Sequence, residues 1–279
     1  MGLRQPVAAG AKVYTLPTEP TVRKKTIADY SMLFHGAKKI GKTLVAAEFP
    51  RAYFFQFEPG EGDSPIMGNT IQTWEDFKGY SKELIRNSQK YGPAVLDTAK
   101  IAYELAKKYI CKKMGIDDPG DEGYGKGWGA VNREFNETML ALMNRGRGTI
   151  FISHSEEKEI KFLDGSASDM IVPNLPKGAR EFCEAIVDIW AYFAYDEKDN
   201  RIIQIRGNAN LAAGHRLQTH FCGISRIPMG NSPREAYTNF MKAFNTGPKL
   251  GTLAPGTNAE MEKGGDAPKP ATVVRRVVG

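Results

Sequence analysis

Between residues 36 and 43 the chain reads Gly-Ala-Lys-Lys-Ile-Gly-Lys-Thr, which satisfies the spacing Gly-x4-Gly-Lys-Thr of a phosphate-binding loop. No other feature restricts the fold as tightly, because the loop works only between a buried strand and a helix. Both flanks fit: the apolar run Ser31–His35 stops at Gly36, and Gly41–Phe49 has helical spacing closed by Pro50. Glycines let successive backbone N–H groups turn inward around an anion. Lys42 can then reach the β- and γ-phosphate oxygens of ATP, and the Thr43 hydroxyl can bind Mg2+. The expected nucleotide-binding residues are Gly36, Ala37, Lys38, Lys39, Ile40, Gly41, Lys42, Thr43 and Leu44. Lys38 and Lys39 are not required by the spacing; they are either solvated loop charges or added positive potential beside the phosphates.

Apolar runs and helical spacing alternate through the first 155 residues, which predicts an α/β fold with a mostly parallel sheet. Strands are expected at Ala52–Glu58, Ala94–Asp97 and Thr149–His154, and helices at Trp74–Tyr91, Thr98–Met114 and Ala130–Asn144. Residues 115–129 hold six glycines and read as a mobile loop, and 156–180 is polar with few regular signals. Ala185–Tyr195 and Arg201–Arg206 flank the turn Asp196–Asn200 as a β-hairpin, and Pro233–Phe244 is a last helix. The expected organisation is an extension over 1–27, one ATPase domain over 28–244, and a disordered tail over 245–279, where 10 of 35 residues are Gly or Pro.

A phosphate loop needs an acid on a neighbouring strand end to hold Mg2+, and Asp97 is in that position. Glu58 ends another strand, so in a parallel sheet it would share the ligand-binding edge and could activate water; the turn chemistry after it also suits a merely solvated acid. His154 would reach the same edge, either as a γ-phosphate sensor or as a structural histidine.

Composition narrows the partners only slightly. The formal charge of +6 permits nucleic-acid contact without requiring it. No stretch reaches the roughly 18 apolar residues of a membrane span, the N-terminus lacks a secretory apolar region, and three scattered cysteines suit a reducing compartment. The expectation is a cytoplasmic protein that does not enter membranes. Tyr124, Lys126 and Trp128 interleave aromatic and basic groups in a Gly-rich segment, as stacking on unpaired bases would need, and Lys158, Lys161, Lys177 and Arg180 add charge further on. Glu156, Glu157 and Glu159 oppose that charge.

The set Leu33-Phe-His-Gly-x4-Gly-Lys-Thr43, Phe54-Phe-Gln-Phe-Glu58-x-Gly60, Val95-Leu-Asp97-Thr98 and Ile150-Phe-Ile-Ser-His154 resembles the RecA-like P-loop ATPases of phages, with Gly125-Lys-Gly-Trp-Gly129 as a further likeness. The resemblance spans roughly residues 28–244 and implies a RecA-like core that binds single-stranded DNA in recombination, annealing or repair, assembled as a homo-oligomeric ring or filament. It implies Glu58 as the catalytic carboxylate, Asp97 as the Mg2+ acid and His154 as the sensor coupling nucleotide to DNA. It also places the segments near 115–129 and 155–180 against DNA. Two departures stand out. The loop interior is Ala-Lys-Lys-Ile, and the Lys-x-Arg finger that would reach a neighbouring subunit's ATP is reduced to Gly214-His215-Arg216. Arg216 remains, with Arg206 as a second candidate for catalysis in trans. The tail's end, Val273-Val-Arg275-Arg276-Val-Val-Gly279, reads either as an ordinary disordered end or as a docking peptide for DNA or a single-strand-binding protein.

Two other functions fit the loop: a nucleotide-gated DNA- or protein-binding module with little hydrolysis, and a phosphotransferase acting on a small molecule. The second needs an Arg-rich lid, and no such cluster occurs in the sequence.

Overall fold

The computed structural model describes residues 15–16, 18–19, 26–58, 65–161 and 167–247. Most of the N-terminal extension, the turn at Pro59–Gly60 and the tail beyond residue 247 lie outside the described residues, as do the expectations made for them.

The apolar runs form strands β1 (Met32–Gly36), β2 (Tyr53–Gln56), β4 (Ala94–Asp97), β5 (Thr149–Lys161) and β7 (Ile189–Tyr195), joined by a short β3 (Gly68–Thr70). Strands β7, β1, β5, β4, β2 and β3 lie side by side in that order, all parallel. An antiparallel extension follows beyond β7, through β8 (Arg201–Gln204) and β10 (Arg226–Pro228). The expected mixed α/β architecture, mostly parallel sheet and β7–β8 hairpin are therefore all present.

Central strands read as unbroken apolar runs because both faces are covered. Leu33, Phe55, Leu96 and Phe151 point to one core, under helices α2 (Trp74–Arg86), α3 (Ala99–Met114), α4 (Lys126–Met143) and α5 (Lys177–Ile186). Their neighbours Met32, Phe34, Phe54, Val95, Ile150 and Ile152 point to the other, under α1 (Lys42–Ala47) and α6 (Pro233–Phe244). Helix α2 begins where Thr73 accepts from the Asp76 N–H and Asp76 reciprocates, a capping box that sets its first turn.

Three expectations need correction. Residues 115–129 are not a mobile loop: they form two 3-10 turns and the start of α4, at Lys126 and not at Ala130. Gly127 is there because a side chain would strike the Pro119 backbone, so this glycine marks close packing. The described residues of the polar stretch 156–180 are also mostly regular. β5 runs on to Lys161 and pairs antiparallel with β6 (Ala167–Pro173), and α5 follows, burying Phe182 and Cys183. Alternating charged residues hid the hairpin, whose outer positions are solvated. Finally, β7 begins at Ile189 and not at Ala185, because the residues before Val187 belong to α5.

Gly36 ends β1 at φ 152°, and a Cβ there would run into the carbonyl of Phe193 on β7. Gly36→Ala is therefore expected to cost at least about 2 kcal/mol, a fall of roughly 4–8 °C in melting temperature for a domain of this size. Thermal unfolding checks it, and an unshifted midpoint would contradict the packing.

Candidate active site

The loop leaves β1 at Gly36 and enters α1 at Lys42. Lys39 at φ 61° and Gly41 at φ 110° take left-handed backbone conformations, which curl the segment. Ile40 is buried in the core between them, while Ala37, Lys38 and Lys39 are exposed. Lys38 and Lys39 thus sit in solvent at the rim. Lys42 is only 5% exposed, and its Nζ donates to the carbonyls of Gly36 (3.0 Å) and Ala37 (2.7 Å), holding the loop curled. Burial lowers its pKa to about 8, with the nearby Asp97 opposing the shift.

Asp97 ends β4, one strand removed from β1 because β5 lies between them. The gap is closed by the Thr43 hydroxyl, which donates to Asp97 Oδ2 at 2.7 Å. Burial raises the Asp97 pKa, and the charge of Glu58 adds to the rise; the Thr43 hydrogen bond and Lys42 act against it. Glu58 is exposed and lies two residues past the end of β2. It accepts a hydrogen bond from the buried Thr98 hydroxyl at 2.9 Å, and Phe57 N–H donates to the Asp97 carbonyl at 2.8 Å. The Asp97–Thr98 peptide bond is cis.

A hydroxyl oxygen and a carboxylate side by side, with a second carboxylate raising the first one's proton affinity, form an oxygen donor set that a divalent cation would relieve. Thr43 and Asp97 therefore fit Mg2+, with phosphate and water needed to complete the shell. His154 is level with Gly36 in the β1–β5 register. Its pKa is lowered by burial and by the charge of Lys42, and its Nδ1 is buried with no hydrogen-bond partner.

Neither arginine suggested for catalysis lies near this edge. Arg216 follows β9 (Gly214–His215), which pairs with the first residues of β7, whereas Gly36 is level with Phe193. That separates Arg216, level with Asp188, from the loop by roughly 17 Å along the strand. Its guanidinium donates to the carbonyls of Ala185 (3.2 Å) and Val187 (2.8 Å) at the end of α5. Arg206 is exposed just past β8, toward the same far edge.

The expected nucleic-acid residues separate into two places. Lys126 and Trp128 lie on the first turn of α4, and Tyr124 on the turn before it is fully exposed. Lys107 from α3 stands 5.2 Å over the Trp128 ring. Lys158, Lys177 and Arg180 converge elsewhere, on a groove of about 1110 Å³ between the β5–β6 hairpin, α5 and residues 207–216. Arg216 lines it too, with the acids Glu159, Glu181, Glu184 and Asp188. Arg180 is largely committed, donating to Glu156 and to the Leu175 carbonyl at 3.0 Å each. Lys161 closes β5, and its side chain lies outside the described residues.

Two participants escaped the sequence reading. Thr98 had a usable signal, a hydroxyl directly after the strand-end acid. His35 had none. It is fully buried and bridges the Ser155 hydroxyl (2.9 Å) and the Ala212 carbonyl (2.6 Å), tying the strand before the phosphate loop to the groove wall. Burial lowers its pKa to about 4. The neutral ring must then donate from Nε2 to the carbonyl and accept from Ser155 at Nδ1.

A SPbeta prophage-derived uncharacterized protein, YorG, of Bacillus subtilis (strain 168) is 26% identical over 130 residues, which cover 44% of this chain and 40% of that protein. The chain thus spans well under half the length of that relative. Among solved structures, a KaiC-like protein from Pyrococcus horikoshii OT3 aligns over 74% of this chain and 88% of its own, at 14% identity and a TM-score of 0.40. The family described as AAA domain matches residues 28–217. With that match over most of its length, and with a phosphate loop and strand-end acid joined at one edge of a parallel sheet, the chain belongs to the AAA domain family.

Proposed function

We propose that this ATPase hydrolyses ATP in response to single-stranded DNA, as a RecA-like protein of phage recombination, annealing or repair. The observation that carries the catalytic half is the contact between Thr43 and Asp97, with Glu58 beside it. Lys42 and the loop amides bind the β- and γ-phosphates, and Glu58, steadied by Thr98, orients and deprotonates the attacking water. Thr43 and Asp97 would hold Mg2+, which would supply charge neutralisation at the phosphate oxygens. His154, level with Gly36 at this edge, is the sensor residue beside the γ-phosphate.

The DNA half is supported by the convergence of Lys158, Lys177 and Arg180 on one groove, and by the exposed Tyr124, Lys126 and Trp128. Lys158 and Lys177 form no ion pair among the described residues, which leaves both free for phosphates. Arg206 and Arg216 lie far from the chain's own loop, so either one would act on ATP only from a neighbouring subunit of a homo-oligomeric ring or filament. The prophage origin of the B. subtilis relative fits a phage setting.

A module with little hydrolysis is the second reading, favoured by the docking of Arg216 on its own α5. A phosphotransferase is less suited: the large groove opens beside Asp188 and Trp190 at the start of β7, away from the γ-phosphate edge.

ATP turnover measured against single-stranded DNA concentration and salt tests the proposal. The expected result is stimulation that weakens steeply as salt rises, because phosphate contacts release counterions. Turnover indifferent to DNA would remove the DNA half; nucleotide binding without turnover would establish the gated module.

A further inference from the structure

The phosphate loop leads into α1 on one face of the sheet, whereas the groove of Lys158 and Lys177 opens beside α5 on the other. Strand β1 reaches both. Leu33 and Phe34 point to opposite cores, so the next residue, His35, faces the α5 side. Gly36, which follows it, opens the loop, and its carbonyl accepts from Lys42 Nζ.

On the groove side, His35 Nε2 meets the carbonyl of Ala212 at 2.6 Å, and Ala212 lines the groove. The segment around Ala212 is fastened to the β5–β6 hairpin. Ala212 N–H donates to the Ile171 carbonyl (2.9 Å), and Ile171 N–H donates to the Asn210 carbonyl (2.8 Å). The Asn210 amide donates to Ser168 Oγ (2.9 Å) and to the Asp169 carbonyl (3.0 Å). Residues 210–212 therefore follow the hairpin that carries Lys158. The other ring nitrogen, Nδ1, meets Ser155 Oγ at 2.9 Å, one residue past His154. The ring is fully buried and packs against Tyr192, with centroids 5.1 Å apart. A shift of the hairpin relative to β1 would leave these polar groups buried and unpaired, so hairpin and loop are favoured in one joint arrangement.

We propose that His35 is a positioning residue that couples the groove to the phosphate loop through its bond to Ala212. A DNA strand held by Lys158 and Lys177 steadies the hairpin and residues 210–212, and through His35 the curl that begins at Gly36. Nucleotide at the loop acts back on the groove by the same contact, since coupling between two sites is reciprocal. His35 touches neither ligand, and its route runs apart from the His154 side chain. The inference rests on the DNA reading of the groove.

Four dissociation constants in the full chain test it: AMP-PNP with Mg2+, with and without saturating oligo(dT), and oligo(dT) with and without saturating AMP-PNP. In wild type each ligand is expected to tighten the other about tenfold. His35→Asn is too short to reach the Ala212 carbonyl, and His35→Phe fills the space without hydrogen bonds. Both are expected to bring the ratio below about twofold, so the test stands if one of them fails to fold. His35→Gln is long enough to donate to Ala212 and is expected to recover most of the ratio. A purely structural role would lower the melting temperature and weaken each ligand while leaving the ratio at its wild-type value. That result would overturn the coupling role and leave the DNA reading standing. A glutamine variant as uncoupled as asparagine would overturn Ala212 as the route. A wild-type chain that binds AMP-PNP but no oligo(dT) would overturn the DNA reading together with this inference.

Discussion

Replacing Lys42 by methionine is expected to weaken ATP binding at least about 100-fold while the protein melts no lower than wild type. The two effects have one cause. Lys42 carries a buried ammonium, 5% exposed, whose only partners in the described residues are two loop carbonyls. The fold disfavours that charge: depression of the pKa from 10.5 to about 8 corresponds to roughly 3 kcal/mol against the ionised form. A methionine of similar volume removes this penalty and loses the two hydrogen bonds, so stability is held or gained. What it cannot supply is the cation between the β- and γ-phosphates. The pH dependence gives a second check. Between pH 8 and 10.5 the unfolded chain holds the Lys42 proton more tightly than the folded one, so wild-type stability gains a contribution as pH rises through that window. The methionine variant lacks this gain. Melting temperatures of both proteins at neutral and alkaline pH measure it, with the other titrating groups common to the pair. A methionine variant that binds ATP like wild type would sink the assignment of the loop.

Glu58→Gln is expected to reduce hydrolysis by about 10²–10⁴-fold with ATP affinity kept within a few-fold. The carboxylate is exposed, so its replacement removes no buried contact except the acceptance from Thr98 Oγ1, which the glutamine carbonyl can still provide. The substitution leaves Thr43 and Asp97 in place as the metal's oxygen donors. Loss of turnover without loss of binding therefore isolates the base. Single-turnover hydrolysis paired with equilibrium binding reads the two separately, and a variant turning over at the wild-type rate would assign the water elsewhere.

Much of the site was legible because it is local. Gly36, Gly41, Lys42 and Thr43 are neighbours in sequence, and their spacing alone dictates a curled loop between strand and helix. Asp97 could be placed because a strand that ends in a polar residue exposes it at a sheet edge whatever the strand order; His154 is level with Gly36 although β5 runs on past it to Lys161. The hairpin over 156–173 was not legible. Its residues alternate charges of both signs on outer positions, and the period-2 signal of a half-buried strand needs an apolar face that this hairpin shows only after Met170. Glycine misled the reading of 115–129 for a related reason. A missing side chain signals either freedom or close approach, and only the Pro119 backbone against Gly127 tells which.

By itself the sequence determined the phosphate loop, the alternation of strands and helices, and the carboxylates at or just past the strand ends, since each depends on residues a few positions apart. The tertiary structure alone decided which strand lies between Gly36 and Asp97, that Thr43 closes that gap, that Arg216 is anchored to its own α5 far from its own loop, and that His35 ties β1 to Ala212. Those facts follow from strand order and register, which pairings between distant segments set and no local spacing encodes.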